Sequence, residues 1–284
     1  MQTETPRRRP IRLTRRGRIA LVAAGAVVVG TSIAVPVALS GGQPAEPRSL
    51  TVPEGWRADQ VYTAVDKALA LRAGTTRKEV PTMRLALPAD ARGNPEGYLL
   101  PATYPVTGET TPRSLLSSMV TNANKRFRAS PVAAGASGAG TLNLYQTVTI
   151  ASIVQAEADN RTDMGKVARV IHNRLDQGMP LQMDSTINYV LNRSTSNSGN
   201  NDDARVDTPY NTYTRTGLPP TPIASPGDEA LRAAVAPPPG DWLYFVTVKP
   251  GDTRFTVEYE DHQRNVTEFN QNRSPDTRSP SPTP

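Results

Sequence analysis

Residues 19–39 read IALVAAGAVVVGTSIAVPVAL, 21 residues without a charge. No other stretch of the chain limits its fold so strictly. In hydrocarbon, backbone groups find no water, so an open chain can cross only as a helix. About 20 apolar residues are enough for that crossing. Seven arginines lie before the stretch, at Arg7, Arg8, Arg9, Arg12, Arg15, Arg16 and Arg18, against the single acid Glu4. That asymmetry keeps the N-terminus in the cytoplasm. A cleaved signal peptide would carry a shorter apolar run, about 7–15 residues, and a clear small-residue cleavage site. The expectation is a retained single-pass anchor, with the chain after it outside the cytoplasmic membrane.

The basic arm also explains the charge. The chain carries a net +6 and a pI near 9.7. Residues 1–18 hold all of that excess, and the remainder has 25 basic and 25 acidic residues. A basic face for nucleic acid is therefore not expected. There is no cysteine, so disulfides and thiolate chemistry are excluded. With two histidines, His172 and His262, and no cysteine, structural or catalytic zinc is not expected. No calcium-loop spacing, phosphate-cradling glycine loop, Gly-x-Ser-x-Gly elbow or Ser-x-x-Lys nucleophile occurs. His172 reads as lying on the polar side of its helix, outside any triad.

Carboxylates remain. In VTIASIVQAEADN (148–160), Ile150, Ile153, Val154 and Glu157 fall at i, i+3, i+4 and i+7, one face of a helix. Gln155 and Asp159 point elsewhere. A carboxyl group raised in pKa by apolar surroundings can serve as a general acid near neutral pH. A competing reading comes from the next helix, about 165–177, with Gly178 as its stop. There Arg174 shares an apolar face with Val167, Val170 and Ile171, which would allow a buried Glu157–Arg174 ion pair. The two readings oppose each other, because a close arginine lowers a carboxyl pKa. Alternatively, Arg174 is used elsewhere, for instance against Asp184 or Glu96.

Other elements follow from pattern and turn chemistry. Residues 41–49 read as a linker. A strand from Leu50, a turn at Pro53-Glu54-Gly55 and a helix carrying Val61, Ala64, Val65, Ala68 and Leu69 come next. Further helices are expected over 105–127 and 228–235, and loops over 129–140 and 192–204. A β-hairpin is expected over 242–248 and 254–259, turning at Lys249-Pro250-Gly251-Asp252. The last dozen residues read as disordered.

Six segments together resemble the endolytic murein transglycosylase family, also called YceG-like. They are EGYLLPATY (96–104), TIASIVQAEA (149–158), ARVIHNRLDQGMPLQMDSTINY (168–189), TPYNTYTRTGLPPTPIASPG (208–227), WLYFV (242–246) and EDHQRNV (260–266). The resemblance implies a bacterial enzyme that cuts the MurNAc–GlcNAc β-1,4 bond within peptidoglycan glycan strands and leaves 1,6-anhydro-MurNAc ends. Glu157 matches the family's catalytic glutamate. Many members carry a second glutamate two positions earlier, where this chain has Gln155. Glu157 would protonate the glycosidic oxygen. As carboxylate it would then take the proton of the C6 hydroxyl that attacks C1 of the same sugar.

The resemblance also assigns supporting roles. Glu96 is a candidate second carboxylate in the cleft, with turn capping as its alternative. Gln182, Asp184 and Thr186 are candidate hydrogen-bonding partners for sugar groups. Tyr210, Asn211, Thr212 and Tyr213 are candidates for the sugar groove, or alternatively packing residues. Pro219–Pro222 would stiffen one wall. No cofactor or metal is implied, and cell-wall synthases are implied as partners.

The resulting expectation is an α+β fold, a helical catalytic core with a small sheet or hairpin. The boundaries are a basic arm (1–18), a transmembrane helix (19–39), a linker (40–49), a shortened LysM-like subdomain (50–90), a catalytic domain (91–270) and a tail (271–284). Gln155 and the short N-terminal part motivate a rival reading, a catalytically inactive cell-wall-binding or assembly factor. A hydrolase of the same bond is a third.

Overall fold

The computed structural model describes residues 48–129, 142–193 and 205–273. The basic arm, the apolar span 19–39, the linker up to residue 47, most of the two expected loops and the tail from 274 lie outside the described residues. Among the described residues, no helix is long and apolar enough to cross a membrane. The described residues form one compact unit.

That unit is α+β. Among the described residues it holds eight α-helices and two separate two-stranded antiparallel sheets. Strand β1 (Arg48–Val52) leads through the Pro53–Gly55 turn into α1 (Ala58–Ala68) and the short α2 (Thr75–Glu79). Strand β2 (Ala102–Val106) returns to pair with β1, Leu50 opposite Tyr104. Residues 105–106, expected to begin a helix, thus close a sheet. The helix α3 (Pro112–Ala129) starts at Pro112, where a proline fits because the first helical N–H has no partner in any case. The sheet joins a strand before residue 90 to one after it.

Helix α4 (Leu144–Glu157) is the centre of the molecule. Asn143 caps it by accepting from the Gln146 N–H, and Gln146 reciprocates, a box that stabilises a helix start by about 1 kcal/mol. Val148, Ile150, Ile153 and Val154 are fully buried, and so are Thr147, Thr149 and Ser152. The sequence suggested one apolar stripe. Instead the helix is enclosed on all sides over 147–154, because its hydroxyls return to its own carbonyls. Thr149 donates to Tyr145 O (2.9 Å) and Ser152 to Thr149 O (2.7 Å). Satisfied in this way, they pack as small apolar groups.

Helix α5 (Arg161–Asp176) follows within four residues, capped by Asn160 accepting from Asp163 N–H. Helix α7 (Asp228–Val235), as expected from sequence, packs on both α4 and α5. His172 meets it, its Nε2 2.8 Å from Ala234 O. Between α5 and α7 lie α6 (Asp184–Val190) and a long irregular segment. The expected hairpin forms as β3 (Tyr244–Lys249) and β4 (Asp252–Thr256), and α8 (Tyr259–Arg273), not foreseen, covers it.

Candidate active site

Glu157 is the last residue of α4, and Ala158 leaves the helix in extended conformation. The residue is half-buried, and its Oε1 accepts the backbone N–H of Ser185 at 3.2 Å. Among the described residues, no ion pair reaches it. Burial pushes its pKa up, and the negative charge of Asp184 adds to this, while Ser185 as a donor works against it. One oxygen is thus fixed by a backbone donor.

Ser185 is in place because the segment after α5 is clamped by Thr212. The Thr212 carbonyl accepts Gln182 N–H (2.9 Å), and its hydroxyl accepts Met183 N–H (3.0 Å) and bonds the Thr186 hydroxyl (3.0 Å). Both threonines are buried, so they build the wall rather than face a ligand. Asn211 is fully buried too. Its Oδ1 accepts Tyr213 N–H at 3.0 Å, and its Nδ2 donates to Val206 O. Tyr213 is thereby aimed at Asp184, whose Oδ1 accepts its hydroxyl proton. Glu157, Asp184, Ser185 and Tyr213 form one cluster. Burial drives the Tyr213 pKa up, and its bond to Asp184 and the charges of both carboxylates add to this.

Arg174 does not join this cluster, so the Glu157–Arg174 ion pair is not formed. Its Nε donates to Leu243 O (2.6 Å). Its Nη1 serves Pro180 O, Leu181 O and Oε1 of Gln182 at 2.9–3.1 Å, and the guanidinium lies over Tyr244. A buried cation is tolerated here because carbonyl dipoles replace its water. It pairs with neither Asp184 nor Glu96. Gln182 is exposed, and its amide oxygen is spent on Arg174.

Glu96 lies in a second cluster. It is only 3 % exposed, and its two oxygens accept the Ala58 N–H, at the start of α1, at 3.0 and 3.2 Å. Tyr189 donates to it at 3.1 Å, and burial pushes its pKa up to about 7. The capping role is therefore filled, at a helix rather than a turn. Tyr210 packs its ring on Tyr189, with centroids 5.3 Å apart, and its hydroxyl bonds Thr221. Arg57 donates to the carbonyls of Asn188, Tyr189 and Arg193. Ser185 and Tyr189 are i and i+4 on α6. The two clusters therefore share one helical face, about 6 Å apart along its axis.

The long segment 208–227 is sewn to α4. Ile223 N–H donates to Ser152 Oγ (3.0 Å), and Gly227 N–H to Gln155 Oε1 (2.8 Å). Gly97 packs against it in a left-handed conformation (φ 79°), where a Cβ would fall 2.5 Å from Pro222. Among the described residues, no three histidine or acidic side chains converge as metal ligands would. Ser185, Tyr189 and Arg57 were not singled out from sequence. The only trace of Ser185 is Asp-Ser-Thr at a helix start, where backbone N–H groups are free.

An α+β scaffold carrying one cation-free, half-buried glutamic acid beside a tyrosine-held aspartate defines a site for general acid–base chemistry by carboxyl groups. The chain belongs to the YceG-like family, whose model matches residues 31–268. It is similar to proteins named endolytic murein transglycosylase. The relative from Streptococcus pneumoniae strain D39 is 34 % identical over 254 residues, 80 % of this chain and 46 % of that protein. The one from Bacillus subtilis is 34 % identical over 170 residues, 60 % of this chain and 46 % of that protein. The chain thus spans about half the length of these relatives. A crystal structure of a YceG-like protein from Listeria monocytogenes superposes with a TM-score of 0.64 at 27 % identity, covering 77 % of this chain and 75 % of that one.

Proposed function

We propose that the chain is an endolytic lytic transglycosylase of peptidoglycan, held in the bacterial cytoplasmic membrane by residues 19–39 and acting outside it. The observation that carries this reading is Glu157, a carboxyl group raised in pKa by burial, free of cations and fixed through one oxygen. Such a group is protonated where ordinary carboxyls are not, as protonation of a leaving glycosidic oxygen requires. Its proton goes to the leaving oxygen as the glycosidic bond breaks; the carboxylate so formed then accepts the C6 hydroxyl proton as the C6 oxygen bonds C1 and closes the anhydro ring. Intramolecular attack needs no positioned water and no second carboxylate nucleophile, in contrast to the two-carboxylate hydrolases. Burial keeps the Glu157 pKa high, Asp184 adds to it, and Tyr213 holds Asp184. The relatives' names point to the same reaction. Cell-wall synthases, which make the strands, are its natural neighbours.

Gln155, the feature that favoured an inactive assembly factor, has a structural task in holding Gly227. A neutral amide oxygen does this without adding charge beside α4. The test is mass spectrometry of purified glycan strands incubated with the full chain in detergent. Anhydro-MurNAc ends from the wild type and none from Glu157→Gln support the lyase. Reducing ends would make it a hydrolase, and no cleavage by either folded protein would make it a binding factor.

A further inference from the structure

A cavity of about 700 Å³ lies away from Glu157. It lies between residues 89–94, the start of α4 and the segment 217–221, at the opposite end of α4 from the acid. Tyr145 on its wall and Glu157 are twelve residues apart on one helix, about 18 Å along the axis. The volume falls in the range of cavities that hold small ligands.

Three features make it more than a crevice. First, Tyr145 is 7 % exposed, yet its hydroxyl has no hydrogen-bond partner. Tyr145 lines the cavity together with Asp90 and Arg92. A buried hydroxyl without a partner is costly unless something fills the place. Second, Arg92 is exposed at the rim and makes no ion pair with any described carboxylate. Its backbone is left-handed, φ 48°. Third, Asp90 supplies the opposite charge nearby, its only described bond a long 3.4 Å contact from Asn143 Nδ2. Leu218, Pro219 and Pro220 add a small apolar wall. Cation, anion, free hydroxyl and apolar patch together match a short zwitterionic peptide. Uncharged sugar rings would find no exposed aromatic face to stack on here, because the Tyr145 ring is buried against Tyr98.

We infer that this cavity is a subsite for the peptide stem of a peptidoglycan strand, with Arg92 taking a stem carboxylate, Asp90 a stem amine or amide, and the Tyr145 hydroxyl a peptide carbonyl. The inference rests on the proposed substrate. It gives the chain a way to register a strand by a peptide several sugar rings from the bond to be cut. The same segment, 217–220, borders a second cavity of about 490 Å³ that includes Asn211 and Thr212, next to the acid cluster.

Calorimetric titration of the full chain in detergent tests it, with a synthetic four-residue stem peptide bearing free carboxylates and one amine as the probe. The same peptide with amidated carboxylates and a peptide-free GlcNAc oligomer are the controls. Saturable binding is expected for the free peptide, weakened at least tenfold by Arg92→Glu, severalfold by Tyr145→Phe and by amidation, and unchanged by Glu157→Gln. Equal binding to wild type and Arg92→Glu, or no saturable binding at all, overturns the subsite. So does binding of the sugar oligomer that Arg92→Glu abolishes. Thermal melting of both variants excludes unfolding as the cause of any loss. Cleavage assays run alongside separate the two readings. Arg92-dependent peptide binding with no strand cleavage sinks the transglycosylase but keeps the subsite. Equal cleavage of peptide-bearing and bare strands without peptide binding does the reverse.

Discussion

The backbone N–H of Ser185, at the start of α6, donates to Oε1 of Glu157, at the end of α4. Two helices far apart in sequence thus meet end to end at one carboxyl group. A backbone donor cannot be removed by changing a side chain, so the orientation of the acid is built into the fold. Glu157→Gln keeps the acceptor and removes the proton. Strand cleavage should fall by about 10²–10⁴-fold, the usual worth of a general acid, with the melting temperature preserved. Mass spectrometry of products beside thermal melts reads both.

The pH profile follows from the direction of the Glu157 shift. The acid must be protonated at the start of the reaction, and its pKa lies above the ordinary carboxyl range. Cleavage should therefore persist through mildly acidic pH and fall as pH rises through that raised pKa. Asp184→Asn removes a negative neighbour that raises it, so the alkaline limb should move to lower pH. A limb that stays put or moves upward would disconnect Asp184 from the acid.

Glu96 gives a stability signature of its own. Its folded pKa of about 7 lies above the ordinary value of 4.5. Folding then takes up a proton between these values. Its contribution is fully present below pH 4.5 and is lost as pH rises through about 7, a change of roughly 3 kcal/mol. Glu96→Gln should flatten the stability curve across that window, as read by urea melts at several pH values.

Arg174 is 5 % exposed and bonded to three carbonyls and one amide oxygen. Arg174→Met should destabilise by roughly 3 kcal/mol, because several buried acceptors lose their donor together. Combined with Glu157→Gln in a double-mutant cycle, the coupling should stay within about 0.5 kcal/mol. A coupling of several kcal/mol would restore the ion pair.

Gly97→Ala tests the wall of the site. The new Cβ would sit 2.5 Å from Pro222, a ring with no rotamer to escape into, on a backbone that disfavours side chains. A loss of about 1–3 kcal/mol is expected from crowding alone, together with reduced cleavage as the 208–227 segment shifts.

Much of this architecture could be read from sequence where the signal is local. The helix Asp228–Val235 and the hairpin with its Pro250-Gly251 turn match closely, because helical period and turn residues act over a few positions. Glu157 stood out because a carboxylate among isoleucines and valines is anomalous on its own terms. Arg174 was equally anomalous, but its partners are carbonyls of a loop and of the approach to β3, and no side-chain pattern records a carbonyl. For Thr212 and Asn211 the sequence leaves groove and packing both open, for a related reason. Polar residues in a family motif suggest a groove, yet these two bond inward to place Met183 and Tyr213. Residues 105–106 were read as helix because the pairing partner of β2 lies some fifty residues earlier, and strand pairing over that distance leaves little local trace.

The enclosure of α4 over 147–154 has an evolutionary consequence. A helix with solvent on one side can drift there while its inner face is held. This one has almost no outer face in its middle, so nearly every substitution is tested by packing. The acid at its end inherits that constraint: its position is inherited with the core and cannot be retuned by small shifts of the helix. Room for change is left to the segments at the two ends of α4, around Asp184 and Tyr213 at one and around Arg92 and Leu218 at the other.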